Sequence, residues 1–226
     1  MPKTLTKVDY ESLVSGGEVI MHEGTRPKVI RLAEQKILKL FLRKRLLSSQ
    51  IWISYAARFS RNSHKLRARG ISTVEVIHVF NIPEIHCTAA LYQELAGETL
   101  RDWLAQASDA EQIEKLRLFG SFVAELHQQG ILFRSIHFGN VLVLPDGSFG
   151  LIDIADMGFR CLGALSVQQR IRNFQHMDRQ DDDRKQLSGP GGQTFIQSYL
   201  AASRLPQKNW PKLTQAFDQT FGAYTR

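Results

Sequence analysis

Residues 130–157 read GILFRSIHFGNVLVLPDGSFGLIDIADM, which is the most informative segment of the chain for its fold. Two apolar runs flank the dipeptide Asp146-Gly147, which favours a tight hairpin turn. Asn140 precedes the first run and Asp153 lies in the second, a separation of 153 − 140 = 13 residues that suits a strand, a turn and a returning strand. An amide oxygen and a carboxylate are hard ligands of the kind that Mg²⁺ takes. The alternative is that both residues are purely structural, with Asn140 capping a strand end and Asp153 capping a turn.

Outward from this hairpin, the pattern predicts strands before it and helices around it. The order of elements is not a βαβ alternation, so a doubly wound parallel sheet is not expected and an α+β chain fits better, with a joint near residues 94–97. The predicted strands are 18–22, 28–32, 36–42, 74–80, 89–95, 141–144 and 149–154. The predicted helices run from a cap at Ser48 or Ser49 to about Arg69, over 99–104, over 110–129, and through most of the chain after Leu165, with turns at 188–192 and 206–211.

The loop FRSIHFGN at 133–140, followed by the hairpin and Asp153, resembles the protein-kinase-like superfamily. Within it, the chain is similar to the bacterial lipopolysaccharide-core (Kdo/heptose) kinase group, including proteins labelled toluene-tolerance proteins. The resemblance is specific at 130–157, moderate around Lys39, and absent in the last sixty or so residues. It implies a two-lobed fold, with a β-rich N-lobe over 1–95 that carries one helix and a small helical C-lobe over 96–226.

The resemblance also implies a site for ATP and Mg²⁺. Lys39 would contact the ATP phosphates, Asn140 and Asp153 would bind the metal, and the backbone at Glu94 and Leu95 would bond adenine. The sequence supports the first assignment, since Lys39 lies in an apolar strand and a lysine that points inward is costly unless it meets an anion. The alternative is that Lys39 decorates an edge strand.

The catalytic loop departs from the family pattern at Ser135, where a catalytic aspartate is expected. A dissociative transition state needs little base assistance, so this loss need not abolish turnover. His137 could replace the base or could fix the loop through a backbone carbonyl. We expect Arg134 to hold the loop by pairing with a carboxylate such as Asp156.

The helix that should supply a glutamate to Lys39 has no acid, because none occurs between Glu34 and Glu75. Asn62 is the one amide in its latter half and could orient Lys39 weakly. The glycine-rich loop is also poor, with only Gly24 near the first turn. These gaps favour the alternative of a pseudokinase that binds nucleotide and acts as a regulatory or scaffold protein.

Three further features are expected to support the structure. His127 is predicted to pack at a helix end, and one carboxylate of the run 181–183 could anchor the catalytic loop, although nothing in the sequence selects which. Cys87 and Cys161 form no metal-binding spacing and are predicted to be reduced thiols.

The net charge of +7 is concentrated in residues 36–69. Such a stretch suits an anionic partner, or it is a solvated face that aids solubility. No apolar run is long enough for a membrane span, and no secretory signal is visible. The basic residues of the stretch are Lys36, Lys39, Arg43, Lys44, Arg45, Arg58, Arg61, Lys65, Arg67 and Arg69.

The function expected from the resemblance is an ATP-dependent phosphotransferase acting on an anionic glycolipid or a phosphorylated sugar. The expected location is the cytoplasm, with peripheral contact at the cytoplasmic face of the inner membrane as an option. A basic binding module for RNA or anionic lipid ranks last, because aromatic residues are not interleaved with the basic ones, and nucleic acid is not expected as a partner.

Overall fold

A computed structural model of the chain describes residues 2–42 and 54–222. The chain is a mixed α+β protein that divides into two compact units, Met1–Ala96 with Asp153–Ala155, and Gly97–Ile152 with Asp156–Arg226. No helix in the described ranges combines the length and the hydropathy that crossing a bilayer requires.

The first unit is built on a six-stranded sheet in the order β1-β6-β7-β4-β3-β2. All neighbouring strands of this sheet are antiparallel except β1 and β6, so it is not a doubly wound parallel sheet, in agreement with the sequence prediction. The elements, in chain order, are β1 (Lys3–Thr4), α1 (Lys7–Val14), β2 (Glu18–Glu23), β3 (Arg26–Leu32), β4 (Lys36–Leu42), α2 (Tyr55–Arg67), β5 (Ser72–Thr73), β6 (Glu75–Ile82) and β7 (Cys87–Gln93).

Strand β4 lies inside this sheet, hydrogen-bonded to β3 on one side and β7 on the other. Side chains alternate between the two faces of a strand. Leu38 and Leu40 therefore share one face, where they join an apolar core that α1 packs against through Tyr10 and Leu13. Lys39 points to the opposite face. The alternative that Lys39 decorates an edge strand is thus wrong.

The described part of the second unit combines six helices with short strands. Three strands form a sheet in the order β11-β10-β8, and β12 pairs with β9. The elements, in chain order, are β8 (Glu98–Thr99), α3 (Leu100–Gln106), α4 (Asp109–Gln128), β9 (Ile131–Phe133), β10 (Val141–Val143), β11 (Phe149–Leu151), β12 (Met157–Phe159), α5 (Val167–Met177), α6 (Asp181–Leu187), α7 (Pro190–Ala202) and α8 (Trp210–Phe221).

Aromatic side chains fill the core between these helices. The rings of Phe174, Phe195 and Phe217 lie 5.4 to 6.3 Å apart and are fully buried. Helices α4 and α7 approach each other closely at Gly120, where an added Cβ would collide with the carbonyl oxygen of Phe195. Only glycine fits at this crossing, because any side chain would push the two helices apart.

Several predicted boundaries differ from the structure. Helix α2 begins at Tyr55 with Ser54 as its N-cap, while Ser48 and Ser49 lie outside the described residues. The last strand of the hairpin was predicted to reach residue 154, but it ends at Leu151 because the backbone turns left-handed at Asp153.

Two other features departed from the sequence prediction. The turn predicted at 188–192 is wrong in its second half, since Pro190 is already at the start of α7; Gly192 fits there because it lies against the carbonyl of Leu187. Helix α1 was missed, as its eight residues lack a buried side chain. Cys87 and Cys161 are free thiols, as predicted.

Candidate functional site

The structure brings two of the predicted site residues together within the first unit. The Nζ atom of Lys39, on β4, lies 2.7 Å from Oδ1 of Asp153. The Lys39 side chain is only 7% exposed, whereas that of Asp153 is 41% exposed. A buried ammonium therefore contacts a carboxylate that still reaches solvent. In this arrangement the carboxylate can bind a further cation, and the ammonium can exchange the carboxylate for another anion.

Aromatic rings surround the lysine. Its Nζ lies 5.8 Å from the ring centroids of both Phe41 and Phe59, within the range of a cation–π contact. Burial lowers the pKa of Lys39, and the neighbouring Asp153 carboxylate opposes part of this effect. Burial also raises the pKa of Tyr92, whose ring lies 5.3 Å from Phe59, and Asp153 adds to that increase. The neutral form of Tyr92 is thus favoured beside the charged pair.

Helix α2 contributes no acid to the site, as the sequence indicated. The sequence offered its Asn62 as a residue that could orient Lys39 weakly. The Nδ2 atom instead donates to the carbonyl oxygens of Ile154, at 2.8 Å, and Ala155, at 3.2 Å. Asn62 is 1% exposed, and these two hydrogen bonds satisfy the donors of its buried amide. The helix thereby holds the segment after Asp153 rather than the lysine.

Asp153 adopts φ = 51°, in the left-handed region of backbone space. Few residues other than glycine adopt this conformation, although aspartate tolerates it better than most. The turn is held on its far side by Asn62 and begins where β11 ends. Residues held in the left-handed conformation by their surroundings are often found at functional sites, so this geometry makes Asp153 a candidate site residue.

The predicted adenine-binding segment follows β7. The Glu94 carboxylate accepts hydrogen bonds from Arg31 at 3.0 and 3.2 Å, and the Glu94 backbone N–H donates to the carbonyl of Gln35 at 2.8 Å. The N–H of Glu94 is therefore already used by the protein. Leu95 is half-buried and its backbone forms no hydrogen bond to another described backbone group. Of the two predicted residues, Leu95 is the one that keeps both backbone groups for a ligand.

The other predicted site residues lie in the second unit, in the loop between β9 and β10. The Nδ2 atom of Asn140 donates to the Ser135 carbonyl at 2.9 Å, and its Oδ1 accepts no hydrogen bond from a described residue. The N–H of Asn140 donates to the carbonyl of His137, and its carbonyl accepts from the N–H of Ile152 at 3.0 Å. Asn140 is thus fixed at the base of the hairpin, directly opposite the residue that precedes Asp153.

Arg134 pairs with Asp156, as predicted, with 3.3 Å between Nη1 and Oδ1. Both side chains are more than 40% exposed, so this pair contributes little stability by itself. Ser135 and His137 are half-buried. The carbonyl of His137 accepts the Asn140 N–H, a main-chain contact that does not test either role expected of the imidazole.

Asp183 anchors this loop, which the sequence alone could not select from the acidic run. Its side chain is 1% exposed. One carboxylate oxygen accepts the N–H of Phe138 at 2.7 Å, and the other accepts two hydrogen bonds from Arg101 at 2.8 and 2.9 Å. A buried carboxylate needs such partners. Its position in the sequence was the signal that could have identified it, because Asp183 lies four residues before the apolar Leu187 and therefore on the same, buried side of α6.

A buried hydrogen-bonded chain supports the loop from the other end. Arg170 donates to the hydroxyl of Tyr199 at 3.1 Å, and Nδ1 of His127 lies 2.9 Å from the same hydroxyl. Nε2 of His127 lies 3.0 Å from Oδ1 of Asn173, whose Nδ2 donates to the carbonyl of Phe133 at 2.8 Å. Since Oδ1 can only accept, His127 is protonated at Nε2 and accepts the Tyr199 hydroxyl at Nδ1. The prediction that His127 packs at a helix end is confirmed, with a structural role added.

No group of three or more His, Cys, Asp or Glu side chains suited to a metal ion occurs among residues 2–42 and 54–222. A divalent cation at Asp153 would therefore depend on ligand oxygens for most of its coordination, as Mg²⁺ does when it binds with phosphate. Neither a protein-family model nor a curated protein sequence matches this chain.

Proposed function

We propose that this chain is a Mg²⁺-dependent, ATP-binding phosphotransferase of the protein-kinase-like class, with the first unit as N-lobe and the second as small helical C-lobe. The observation that carries the proposal is the buried Lys39 ammonium, 2.7 Å from the half-exposed Asp153 carboxylate. A lysine and an aspartate in contact at a left-handed turn match what phosphate and Mg²⁺ require of a protein.

Lys39 supports phosphate binding because its charge is buried on an interior strand. In the first unit the ammonium pairs with Asp153 alone among the described carboxylates. If that carboxylate binds a cation instead, the ammonium needs another anion, and a phosphate oxygen would supply one. The positive charge of Lys28, which lowers the pKa of Lys39 further, makes the need for an anion stronger.

Asp153 and Asn140 fit a magnesium ion by their chemistry. The Asp153 carboxylate reaches solvent, and the Oδ1 atom of Asn140 accepts no hydrogen bond from a described residue. When bound, Mg²⁺ would neutralise phosphate charge in the transition state. Lys39 would hold the same phosphates, and the backbone at Leu95 would hold the base.

The acceptor side of the proposal rests on the resemblance. An anionic glycolipid or a phosphorylated sugar would present its hydroxyl to the loop that carries Arg134, Ser135 and His137. Positioning by this loop would do most of the catalytic work, because Ser135 cannot act as a carboxylate base. A cytoplasmic site of action, at or near the inner membrane, fits such an acceptor.

A pseudokinase that binds nucleotide without transfer is the second candidate, and two observations favour it. Ser135 replaces the catalytic aspartate, and α2 offers Lys39 only the ring of Phe59 where a glutamate is expected. Lys39 consequently pairs with the metal-binding residue itself. Such a pair would have to open before Mg²⁺ could bind, which suits slow or regulated binding.

Thermal unfolding with and without Mg-ATP tests the nucleotide site. At a ligand concentration about 100 times Kd, binding adds about 2.7 kcal/mol to the free energy of unfolding. For a chain of this length we expect Tm to rise by about 5 °C. The rise should require Mg²⁺ and should be lost in Asp153→Asn, which keeps the shape of the side chain, while the exposed-site control Asp182→Asn should retain it.

Phosphoryl transfer is then measured by ³¹P NMR of mixtures of Mg-ATP with phosphorylated sugars and with glycolipid. Product that disappears in Asp153→Asn would support the phosphotransferase. A Mg²⁺-dependent Tm shift without product would support the pseudokinase. Activity gained in Ser135→Asp would then show that the missing carboxylate at this position prevents transfer. Without any Tm shift at millimolar Mg-ATP, both candidates are wrong.

A further inference from the structure

Basic side chains converge beside the loop that carries Ser135, within the second unit. Arg134 directly precedes Ser135, and its Nη1 atom lies 3.3 Å from Oδ1 of Asp156. The Nη1 atom of Arg179 lies 3.5 Å from the carbonyl oxygen of Arg134, which belongs to the peptide bond with Ser135. The Nη2 atom of Arg179 lies 2.7 Å from Nδ1 of His176 on α5. With one more arginine of the helix, these side chains form what we call the α5 cluster: Arg134, Arg172, His176 and Arg179.

Arg172 belongs to the cluster by its position on α5. It lies four residues before His176, so the two side chains share one side of the helix. The next residue, Asn173, is 1% exposed and attaches the helix to β9. Its Nδ2 donates to the Phe133 carbonyl at 2.8 Å, and its Oδ1 accepts the Phe133 N–H at 3.4 Å. Because Phe133 directly precedes Arg134, two arginines of the cluster are each one residue away from this buried contact.

The carboxylates of this region leave two of the arginines without an ion pair. Asp156 pairs with Arg134, and Asp178, at the end of α5, pairs with Arg184 at 2.5 Å. Among the residues that the structure describes, no carboxylate lies within ion-pair distance of the other two arginines of the cluster. Three guanidinium groups and one carboxylate leave an excess of two positive charges. Like charges held together repel each other, so an anion would be stabilised here.

The ring of His176 lies within the field of all three arginines. Burial is the main cause that lowers its pKa, the charges of Arg179, Arg172 and Arg134 lower it further, and Asp156 opposes them. A guanidinium can only donate hydrogen bonds, so Nδ1 of His176 accepts from Arg179 and the ring proton is on Nε2. The ring is therefore neutral, and it orients Arg179 without removing any of its charge.

The helix dipole accounts for only part of the cluster. A cation just after the last turn of α5, such as Arg179, is stabilised by the dipole without any ligand. Arg172 lies in the middle of the helix and Arg134 lies outside it, so the dipole does not explain their placement. Guanidinium groups that converge from separate segments are typical of phosphate recognition, because each planar group can donate two parallel hydrogen bonds to phosphate oxygens.

We infer that the α5 cluster binds a phosphate monoester of the acceptor and thereby positions the acceptor beside Ser135. This role rests on the proposed phosphotransferase function and names the group by which such an enzyme would recognise its acceptor. A phosphate monoester carries about −1.5 to −2 charges at pH 7, which matches the excess charge of the cluster. The monoester could belong to a soluble sugar phosphate or to a lipid head group, since both present the same oxygens.

Calorimetric titration with glucose 6-phosphate, in EDTA and without nucleotide, tests the cluster apart from the proposed Mg-ATP site. We expect saturable binding that glucose does not show. The dissociation constant should rise about tenfold or more in Arg172→Gln/Arg179→Gln, because charge-assisted hydrogen bonds to the phosphate are lost. Both arginines are exposed, so the substitutions should not disturb the fold. Asp153→Asn should leave the binding of glucose 6-phosphate unchanged.

Lys208→Gln/Lys212→Gln removes the same charge from exposed positions of the second unit and serves as the matched control. Flotation with vesicles that contain phosphatidic acid identifies the source of the monoester. Vesicle binding that falls in the arginine variant but not in the control indicates a lipid head group, and binding of glucose 6-phosphate alone indicates a soluble ligand. A phosphate site at the cluster is ruled out if neither probe binds, if glucose binds as tightly as its phosphate, if the arginine variant binds like the native protein, or if the control loses as much affinity.

The arginine variant also separates the phosphate site from the nucleotide site. It should keep the Mg²⁺-dependent rise of Tm with ATP, and in the transfer assay it should raise KM for a phosphorylated acceptor with little change in KM for ATP. If Mg-ATP does not raise the Tm of the native protein but glucose 6-phosphate binds through the arginines, the phosphate site stands and the phosphotransferase is wrong. If the variant alone loses the Mg-ATP effect, the cluster belongs to the nucleotide site and its role toward the acceptor is overturned.

Discussion

Acid should destabilise this protein through His127. The imidazole is fully buried, and burial lowers its pKa to about 3, with the charge of Arg170 acting in the same direction. The hydrogen bond with Asn173 opposes this shift without overcoming it. In the unfolded chain the pKa of histidine returns to about 6.5. The unfolded state therefore binds a proton more readily than the folded state at every pH between these values.

The sign and size of the effect follow from this difference. The His127 contribution to stability is complete above about pH 6.5 and declines by about 1.4 kcal/mol for each pH unit below it, until the folded-state pKa is reached. Between pH 7.5 and pH 5.0 the loss amounts to about 2 kcal/mol. Protonation at Nδ1 would also set two donors against each other, because the Tyr199 hydroxyl already donates to that atom.

Urea unfolding at pH 7.5 and 5.0 measures this loss in the native protein and in His127→Gln. We expect the variant to be less stable at pH 7.5 but to lose about 2 kcal/mol less on acidification. His64→Gln, at an exposed position, is the control and should keep the native pH dependence. Equal losses in the native protein and in His127→Gln would show that His127 does not cause the acid sensitivity, as would an NMR titration of the His127 ring with a midpoint near pH 6.5.

Three further variants test other contacts by urea unfolding. Asp183→Ala removes the acceptor of the Phe138 N–H and leaves a guanidinium without its carboxylate, so we expect a loss on the order of 3 kcal/mol, against less than about 0.5 kcal/mol for exposed Asp182→Ala; equal effects would deny the anchor. Gly120→Ala should cost about 1–3 kcal/mol by forcing two helices apart, and an unchanged stability would contradict the close crossing. Asn62→Ala removes the side-chain donor to the carbonyls of Ile154 and Ala155 and should cost about 1–3 kcal/mol, with faster hydrogen exchange in the turn that contains them. Unaltered exchange there would show that the turn is held by other contacts.

The hairpin and the central strands could be predicted because their signals are local. Asp146-Gly147 specifies a turn by its own backbone preferences, and the alternation around Lys39 places that side chain opposite Leu38. The pairing of Lys39 with Asp153 could not be predicted from the sequence, because it joins residues 114 positions apart (153 − 39) and depends on the left-handed turn. Sequence patterns identify faces and turns, but not which distant groups meet.

The same limit explains what the sequence left open at Asn62 and in the acidic run. Asn62 was considered as a partner of Lys39 because both belong to the expected site, yet an amide can form up to four hydrogen bonds, and its Nδ2 atom donates to the carbonyls of Ile154 and Ala155. Asp183 could not be separated from its neighbours, because only the packing of α6 decides which carboxylate is buried. Short helices such as α1 escape detection when their apolar residues are few and only partly buried.

The assignment of residues 153–155 to the first unit has a consequence for dividing the gene. A cut after residue 96 would separate the β-sheet fragment from a three-residue segment encoded far downstream. Such a fragment would carry Lys39 without its counter-ion and Asn62 without its two acceptors. The sheet therefore cannot be expressed as an independent piece with its polar interior complete, and a split or permuted version of the chain would have to keep that downstream tripeptide with the sheet.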